Sequence, residues 1–242
     1  MKHTNKSAKR FTHWAAITVL AASLLPVGLF TACPNAAGGG GTSSGSNSGG
    51  GTITPDAAIL TLDPANKTIK ITVGTSDGSA VTVEGADKTS VNSGEETELT
   101  ATGDKITLKS GKITELACWN NKLTALDVRG LSLLQELACH ANQLTALNVD
   151  NVTELKNLFC ALNKLDAAAF TALLNGLPAR AEIDDASCIL FSELPLVPEQ
   201  NYKFEAPVPA DLKEAFKKAR DTKHWKLLKV CGEEDFQDIV LP

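Results

Sequence analysis

Aromatic side chains make up only 5% of this 242-residue chain, with one tyrosine and one methionine, so an aromatic-rich core is excluded, although 43% hydrophobic content leaves enough apolar material for a core. Positive charge is also scarce: 23 basic against 28 acidic residues leave a formal charge of −5, without the basic field that non-specific nucleic-acid binding needs. Beyond the N-terminus no run of about twenty apolar residues occurs, which excludes a chain of several membrane-crossing helices. The phosphate-cradling patterns G-x-G-x-x-G and G-x-x-x-x-G-K are missing, as are the zinc signature H-E-x-x-H and the nucleophile elbow G-x-S-x-G. Of four histidines, only His140 and His224 follow the first thirty residues. No catalytic residue, metal site or cofactor is expected.

What is present begins with an address. Lys2, Lys6, Lys9 and Arg10 precede an uncharged, largely apolar stretch from Trp14 to Phe30, closed by Thr31 and Ala32 before Cys33, which is the layout of an export signal. Leu29-Phe30-Thr31-Ala32-Cys33 resembles a bacterial lipobox, with Phe30 where that family usually has a small aliphatic residue. The resemblance implies that Cys33 is acylated and starts the mature chain, so that residues 1–32 are a lipoprotein signal peptide. Residues 34–54 hold eight of the 18 glycines, four serines and no charge. Such a Gly/Ser-rich stretch, 33–54 with the cysteine, reads as a tether with a reach of about 25 Å. Removing residues 1–32 takes away four basic and no acidic groups, leaving 19 against 28 and a net charge of −9.

The strongest signal is an internal repeat. Ile113-Thr-Glu-Leu-Ala-Cys118-Trp-Asn-Asn-Lys-Leu123 is followed by Leu134-Gln-Glu-Leu-Ala-Cys139-His-Ala-Asn-Gln-Leu144 and by Leu155-Lys-Asn-Leu-Phe-Cys160-Ala-Leu-Asn-Lys-Leu165, at a constant offset of 21 residues. Between them Leu123-Thr-Ala-Leu126-Asp-Val128 matches Leu144-Thr-Ala-Leu147-Asn-Val149. The pattern L-x-x-L-x-C-x-x-N-x-L is similar to that of the leucine-rich repeat family, with cysteine where leucine is commoner. The resemblance implies an α/β fold: a short solenoid over 105–178 with a parallel concave sheet, a β-rich N-terminal cap at 55–104 and an α+β C-terminal cap at 179–242. Each unit needs its neighbours, because one strand and its return cannot bury their own apolar side chains.

Within the flanks, Ile59–Leu62, Thr68–Val73 and Val81–Glu84 read as strands, with Ser76-Asp77-Gly78-Ser79 as a hairpin turn. Lys105–Gly111 reads as a shortened convex half-repeat, and Ala167–Asn175 as a helix stopped by Gly176 and Pro178. Asp211 and Glu214 form a capping-box signal for a second helix, followed by a closing strand from Trp225 to Cys231. Cys118, Cys139 and Cys160 fall at one inward position per repeat and read as buried small hydrophobes. Whether Cys188 and Cys231 pair is open at this level.

Residues flanking the inward Leu and Cys alternate to the other face. This puts Glu115, Glu136 and Asn157 in one row, Ala117, Ala138 and Phe159 in the next, and Trp119 and His140 beyond, with Asn120, Ala141 and Leu162 alongside. Glu115, Trp119, Glu136, His140, Asn157, Phe159 and Leu162 are therefore the expected ligand-binding residues, an exposed aromatic patch with polar neighbours. If the caps fold over part of this face, Trp119 or Phe159 becomes core instead. Glu115 and Glu136, held about 5 Å apart by strand spacing, match the separation of a retaining glycosidase pair, a coincidence that any repeated acid on adjacent strands produces. A second candidate surface is the basic cluster of Lys213, Lys217, Lys218, Arg220 and Lys223, suited to an anionic partner or to a solvated helix face.

These readings converge on a monomeric bacterial outer-membrane lipoprotein, exposed at the cell surface, that binds a host or bacterial surface protein and no nucleic acid or small-molecule cofactor. Internalin-like adhesins and spirochaetal repeat lipoproteins, which it resembles, act in attachment. The alternative is a periplasm-facing lipoprotein with a structural or assembly role in the envelope.

Overall fold

The computed structural model describes residues 52–194, 199–232 and 235–242. Cys33, the signal segment and residues 34–51 of the tether lie outside them.

The described residues form a mixed α/β structure that is mostly sheet. The strands are β1 (Ala57–Leu62), β2 (Thr68–Thr75), β3 (Val81–Glu84), β4 (Ser90–Val91), β5 (Glu96–Thr100), β6 (Lys105–Lys109), β7 (Ile113–Ala117), β8 (Leu123–Asp127), β9 (Glu136–Ala138) and β10 (Asn157–Phe159), then β11 (Ser187–Ser192), β12 (Lys226–Val230) and β13 (Phe236–Asp238). Two helices, α1 (Ala167–Gly176) and α2 (Ala210–Lys217), follow β10 and β11 respectively.

Strand pairing divides these elements into two sheets. An antiparallel sheet runs β4-β3-β6-β1-β8, and an eight-stranded sheet runs β13-β12-β11-β10-β9-β7-β2-β5. In the larger sheet β7, β9, β10, β11 and β12 are mutually parallel, while β2 and β13 close the parallel part antiparallel on either side. The 21-residue period becomes strand register: Leu116 pairs with Leu137 and Leu137 with Leu158. The ladder then continues through Cys188 and Leu227, where the period has ended.

One buried cluster takes side chains from both sheets, with Leu60, Leu62, Ile106 and Leu108 from the smaller and Ile69, Ile71, Leu116, Leu137 and Leu158 from the larger. Leu126, Val128 and Leu131, and their counterparts Leu147, Val149 and Val152, are all buried in it. Polar groups enter this interior in one register. Asn142 accepts N–H bonds from Asn121 and Leu123 and donates to the carbonyls of Cys118 and Cys139, all at 2.9–3.1 Å. Asn163 repeats this one unit later, accepting from Leu144 and donating to Cys139 and Cys160. Each amide satisfies backbone groups that stacking removes from water. The residue immediately before the Asn of each unit has positive φ, at 54°, 54° and 57° for Asn120, Ala141 and Leu162.

Several expectations change. Ser76–Ser79 is a turn, with Gly78 at φ 74° and its N–H bonded to the Thr75 carbonyl, but it makes no hairpin: β2 pairs with β5 and β7, and β3 belongs to the other sheet. Lys105–Lys109 lies between β1 and β3 as an antiparallel strand. Helix α2 starts from Pro209 without a side-chain cap, and Asp211 stands in its first turn instead of at its N-cap. Helix α1 is capped by Asp166, whose carboxylate accepts the Ala169 N–H at 2.8 Å, and it buries Phe170, Leu173 and Leu174. Strand β11, with all six residues buried, was not legible: Ser187-Cys-Ile-Leu-Phe-Ser192 carries no alternation because it is covered on both faces.

Candidate functional site

The face of the large sheet that points away from the common core is assembled by register. Gly74, Glu115, Glu136, Asn157, Ser187 and Lys226 are consecutive partners across six strands, and Thr72, Ala117, Ala138, Phe159, Ile189 and Leu228 form the adjacent row. The first row is polar. Asn157 Nδ2 donates to Glu136 Oε1 at 3.3 Å, and the Ser187 hydroxyl donates to Asn157 Oδ1 at 3.2 Å. Glu115 lies over Gly74, where a Cβ would come within 3.0 Å of the Glu115 Cβ, so a side chain at 74 would displace it.

The second row divides the face in two. Toward β12 it is apolar and closed: Phe159, Ala161, Ile189, Leu228 and Val230 form a second buried cluster, with Leu162, Leu194 and Phe236 packed against it. Phe159, expected in an exposed patch, is 5% exposed, and His140 is 2% exposed. Both are corrected to interior positions: Phe159 because the C-terminal strands extend the sheet and bring their own aliphatic side chains over the same face, and His140 because it is stacked between Phe159 and Trp119. Leu162 is half-buried at the margin of that cluster.

Trp119, His140 and Phe159 do come together, as a stack. The His140 ring lies 3.9 Å from Phe159 and 5.8 Å from Trp119, centroid to centroid, with interplanar angles of 18° and 14°. Burial holds the imidazole pKa down at about 3, so His140 is neutral at physiological pH and sits in the stack as a flat ring. Trp119 ends the stack and is half-buried. Beyond it the face is open, and a groove of about 230 Å³ is bounded by Trp119, Lys70, Thr72, Glu96 and Glu98. Sequence reading missed β2 and β5 as contributors, since neither belongs to the repeat. The only signal was alternation, which exposes Thr68, Lys70 and Thr72 on the same side.

Near the apolar end, Glu199 accepts backbone N–H bonds from Leu162, Ser192 and Asn201 at 2.6–3.0 Å. Burial nevertheless raises its pKa above the usual carboxylate value, the N–H donors opposing that shift. It joins the loop after β11 to the last repeat, a structural task with no sequence signature.

The basic cluster also changes. Lys223 is buried, and its ammonium donates to the carbonyls of Leu174, Asn175 and Leu177 at 3.2, 2.6 and 2.6 Å, closing the C-terminal end of α1. It is therefore removed from the candidate anionic-partner surface. Arg220 is paired with Asp221 at 2.6 Å and lies 5.8 Å over the Phe216 ring. Lys213 reaches the Pro242 carbonyl at 3.1 Å, and Lys217 and Lys218 are exposed.

Cys118, Cys139, Cys160 and Cys188 are buried free thiols, and burial pushes Cys118 up to about 12. Cys188 and Cys231 do not pair, and the Cys231 Sγ lies 3.4 Å from Glu193. Among the described residues no group of three or more His, Cys, Asp or Glu side chains is arranged to hold a metal ion.

Comparison with protein-family models, with curated proteins and with solved structures gives no match.

Proposed function

We propose that this chain is a lipid-anchored envelope protein that presents a short leucine-rich-repeat domain on a flexible tether and binds a partner protein through the open part of its large sheet. The repeat reading is supported by three 21-residue units whose strands pair in parallel register and whose asparagines bond the stacked backbone at equivalent positions. The anchoring reading rests on the Leu29–Cys33 sequence and the Gly/Ser-rich segment after it.

The binding reading is carried by Trp119. An indole held half-buried by an aromatic stack, beside the polar row Glu115, Glu136 and Asn157, is a rigid anchor with hydrogen-bonding surroundings, the combination found at interface hot spots. The open area is small, so strong attachment relies on many anchored copies acting together.

Two measurements test this. Protease added to intact cells digests a surface-displayed protein, and Cys33→Ala releases it to the medium. Protection until the envelope is broken assigns it to the periplasm and an assembly role instead. A photoreactive residue in place of Glu115, exposed on the same face as Trp119, gives a covalent adduct with a partner protein on cells, while the same residue at Lys109, in the other sheet, gives none. Equal labelling from both positions, or none from 115, defeats the binding-face reading.

A further inference from the structure

We infer that the groove beside Trp119 is a saccharide subsite, taking one neutral pyranose ring flat against the exposed face of the indole. The inference rests on the reading that the open sheet face is the binding face, and it specifies what that end of the face recognises.

His140 lies nearly parallel to Trp119 at 5.8 Å and covers one face of the indole. The groove is on the β2 and β5 side, so the other face is one of its walls. The remaining walls are polar and of mixed character. Lys70 and Glu98 are direct cross-strand partners, Lys70 Nζ lies 3.9 Å from Glu96, and Thr68 and Thr72 add hydroxyl groups. Asn120 stands at the rim, its backbone turned by a φ of 54°.

Each simple class of ligand but one meets an obstacle here. A cation placed on the indole competes with Lys70, whose ammonium already faces Glu96 and whose strand partner is Glu98. An anion meets Glu96 and Glu98. An apolar group strips water from Lys70, Glu96 and Glu98 and returns nothing for it. A pyranose has a C–H face that suits an aromatic plane and a rim of hydroxyl groups that both donate and accept, matching the lysine, carboxylates, hydroxyls and amide around the indole. A groove of about 230 Å³ lies below the roughly 300 Å³ at which pockets for drug-sized ligands begin and suits a single ring. The Lys70–Glu96 pair is solvent-exposed, with side chains 62% and 58% accessible, so sugar hydroxyls can replace it at little cost.

The molecule supplies its own reporter. Besides Trp14 in the leader it has two tryptophans, and Trp225 is buried with its indole N–H bonded to the Pro178 carbonyl at 2.8 Å. The full chain carrying Trp14→Phe, in detergent, is screened on an array of neutral and acidic glycans. The best binders are then titrated while acrylamide quenching of Trp119 is followed.

The expected result is binding of neutral glycans, saturable protection of Trp119 from acrylamide and weak salt dependence. Trp119→Ala lowers affinity by about tenfold or more, as hot-spot truncations do, and Trp119→Phe retains part of it. Glu98→Gln weakens binding and leaves the unfolding curve unchanged. Absence of any glycan above background overturns the inference, as does glycan binding that survives Trp119→Ala. A preference for arginine esters over sugars overturns it as well. Adduct formation from position 115 on cells without glycan binding rejects the saccharide subsite and leaves the protein-binding reading standing, whereas loss of both rejects the face itself.

Discussion

Asn201 does on β11 what Asn163 does on β10, although it lies outside the 21-residue period. Asn163 Nδ2 donates to the Cys139 and Cys160 carbonyls, and its Oδ1 accepts the Leu144 N–H. Asn201 Nδ2 donates to the Cys160 and Leu190 carbonyls at 3.0 and 2.8 Å, and its Oδ1 accepts the Leu165 N–H at 2.8 Å. The polar ladder of the repeats is thus completed by a residue from the loop after β11.

Replacing either asparagine with alanine strands several buried backbone groups at once. Asn163→Ala and Asn201→Ala should each lower stability by about 3 kcal/mol, read as a drop in the urea midpoint without a change in slope. Equal losses for the two would establish that the loop residue carries the same weight as the repeat residue. A loss below about 0.5 kcal/mol for Asn201→Ala, the range of ordinary surface changes, would show that water replaces it.

Acid should destabilise the fold well before its carboxylates are protonated. His140 has a folded-state pKa of about 3, below its ordinary value of 6.5, so between these values the unfolded chain binds the extra proton. Stability therefore falls as pH drops below 6.5, by up to about 1.4 kcal/mol per pH unit from this residue. Glu199, whose pKa is raised, works in the opposite sense: its contribution is present at low pH and is lost as pH rises through its folded pKa. Urea unfolding at pH 7, 5 and 4 should show the loss, and His140→Phe should flatten it. An unchanged slope in His140→Phe would assign the acid sensitivity elsewhere.

Lys223→Met should cost about 2 kcal/mol, because the carbonyls of Leu174, Asn175 and Leu177 lose a charged donor inside the protein. Lys217→Ala and Lys218→Ala, both exposed, should stay within about 0.5 kcal/mol of the parent. Thermal melts of the three variants check this, and equal effects would contradict the burial of Lys223.

Ala141 and Leu162 occupy equivalent left-handed positions at φ 54° and 57°, yet glycine should affect them in opposite directions. Ala141→Gly relieves steric cost and should stabilise by up to about 1 kcal/mol. Leu162→Gly gains the same relief but removes a side chain packed against the buried cluster that contains Phe159, Ile189 and Leu228, and should destabilise by about 1–2 kcal/mol. Differential scanning calorimetry on the pair distinguishes the backbone effect from packing.

Truncation at Trp119 should separate binding from folding. The side chain is only half-buried, so Trp119→Ala should shift the melting temperature by a few degrees at most while lowering glycan affinity and adduct yield from position 115 by about tenfold or more. A collapse of the fold would mean that the aromatic stack is structural throughout.

The repeat made the parallel strands, their inward leucines and cysteines and the asparagine register legible in advance, because a fixed period reports contacts between neighbouring units. Alternation likewise assigned Glu115, Glu136 and Asn157 to one row. It had no means of showing that Phe159 is covered, since the covering residues Leu194, Leu228, Val230 and Phe236 lie far along the chain in segments without periodicity. Lys223 illustrates the same limit. A lysine among lysines reads as solvated surface, and only the approach of α1 turns its ammonium into a cap for three carbonyls.

What the sequence determined by itself is therefore local and periodic: the Gly/Ser-rich composition of residues 34–54, the 21-residue unit and the side of each strand on which a residue falls. Tertiary structure alone decided which part of the outward face stays open. β2 and β5 extend the sheet with polar residues on that face, whereas β11 and β12 bring Ile189, Leu228 and Val230 to it. The physical reason is that a strand's alternation states which side a residue takes, whereas exposure depends on which distant strand arrives beside it and with what side chains.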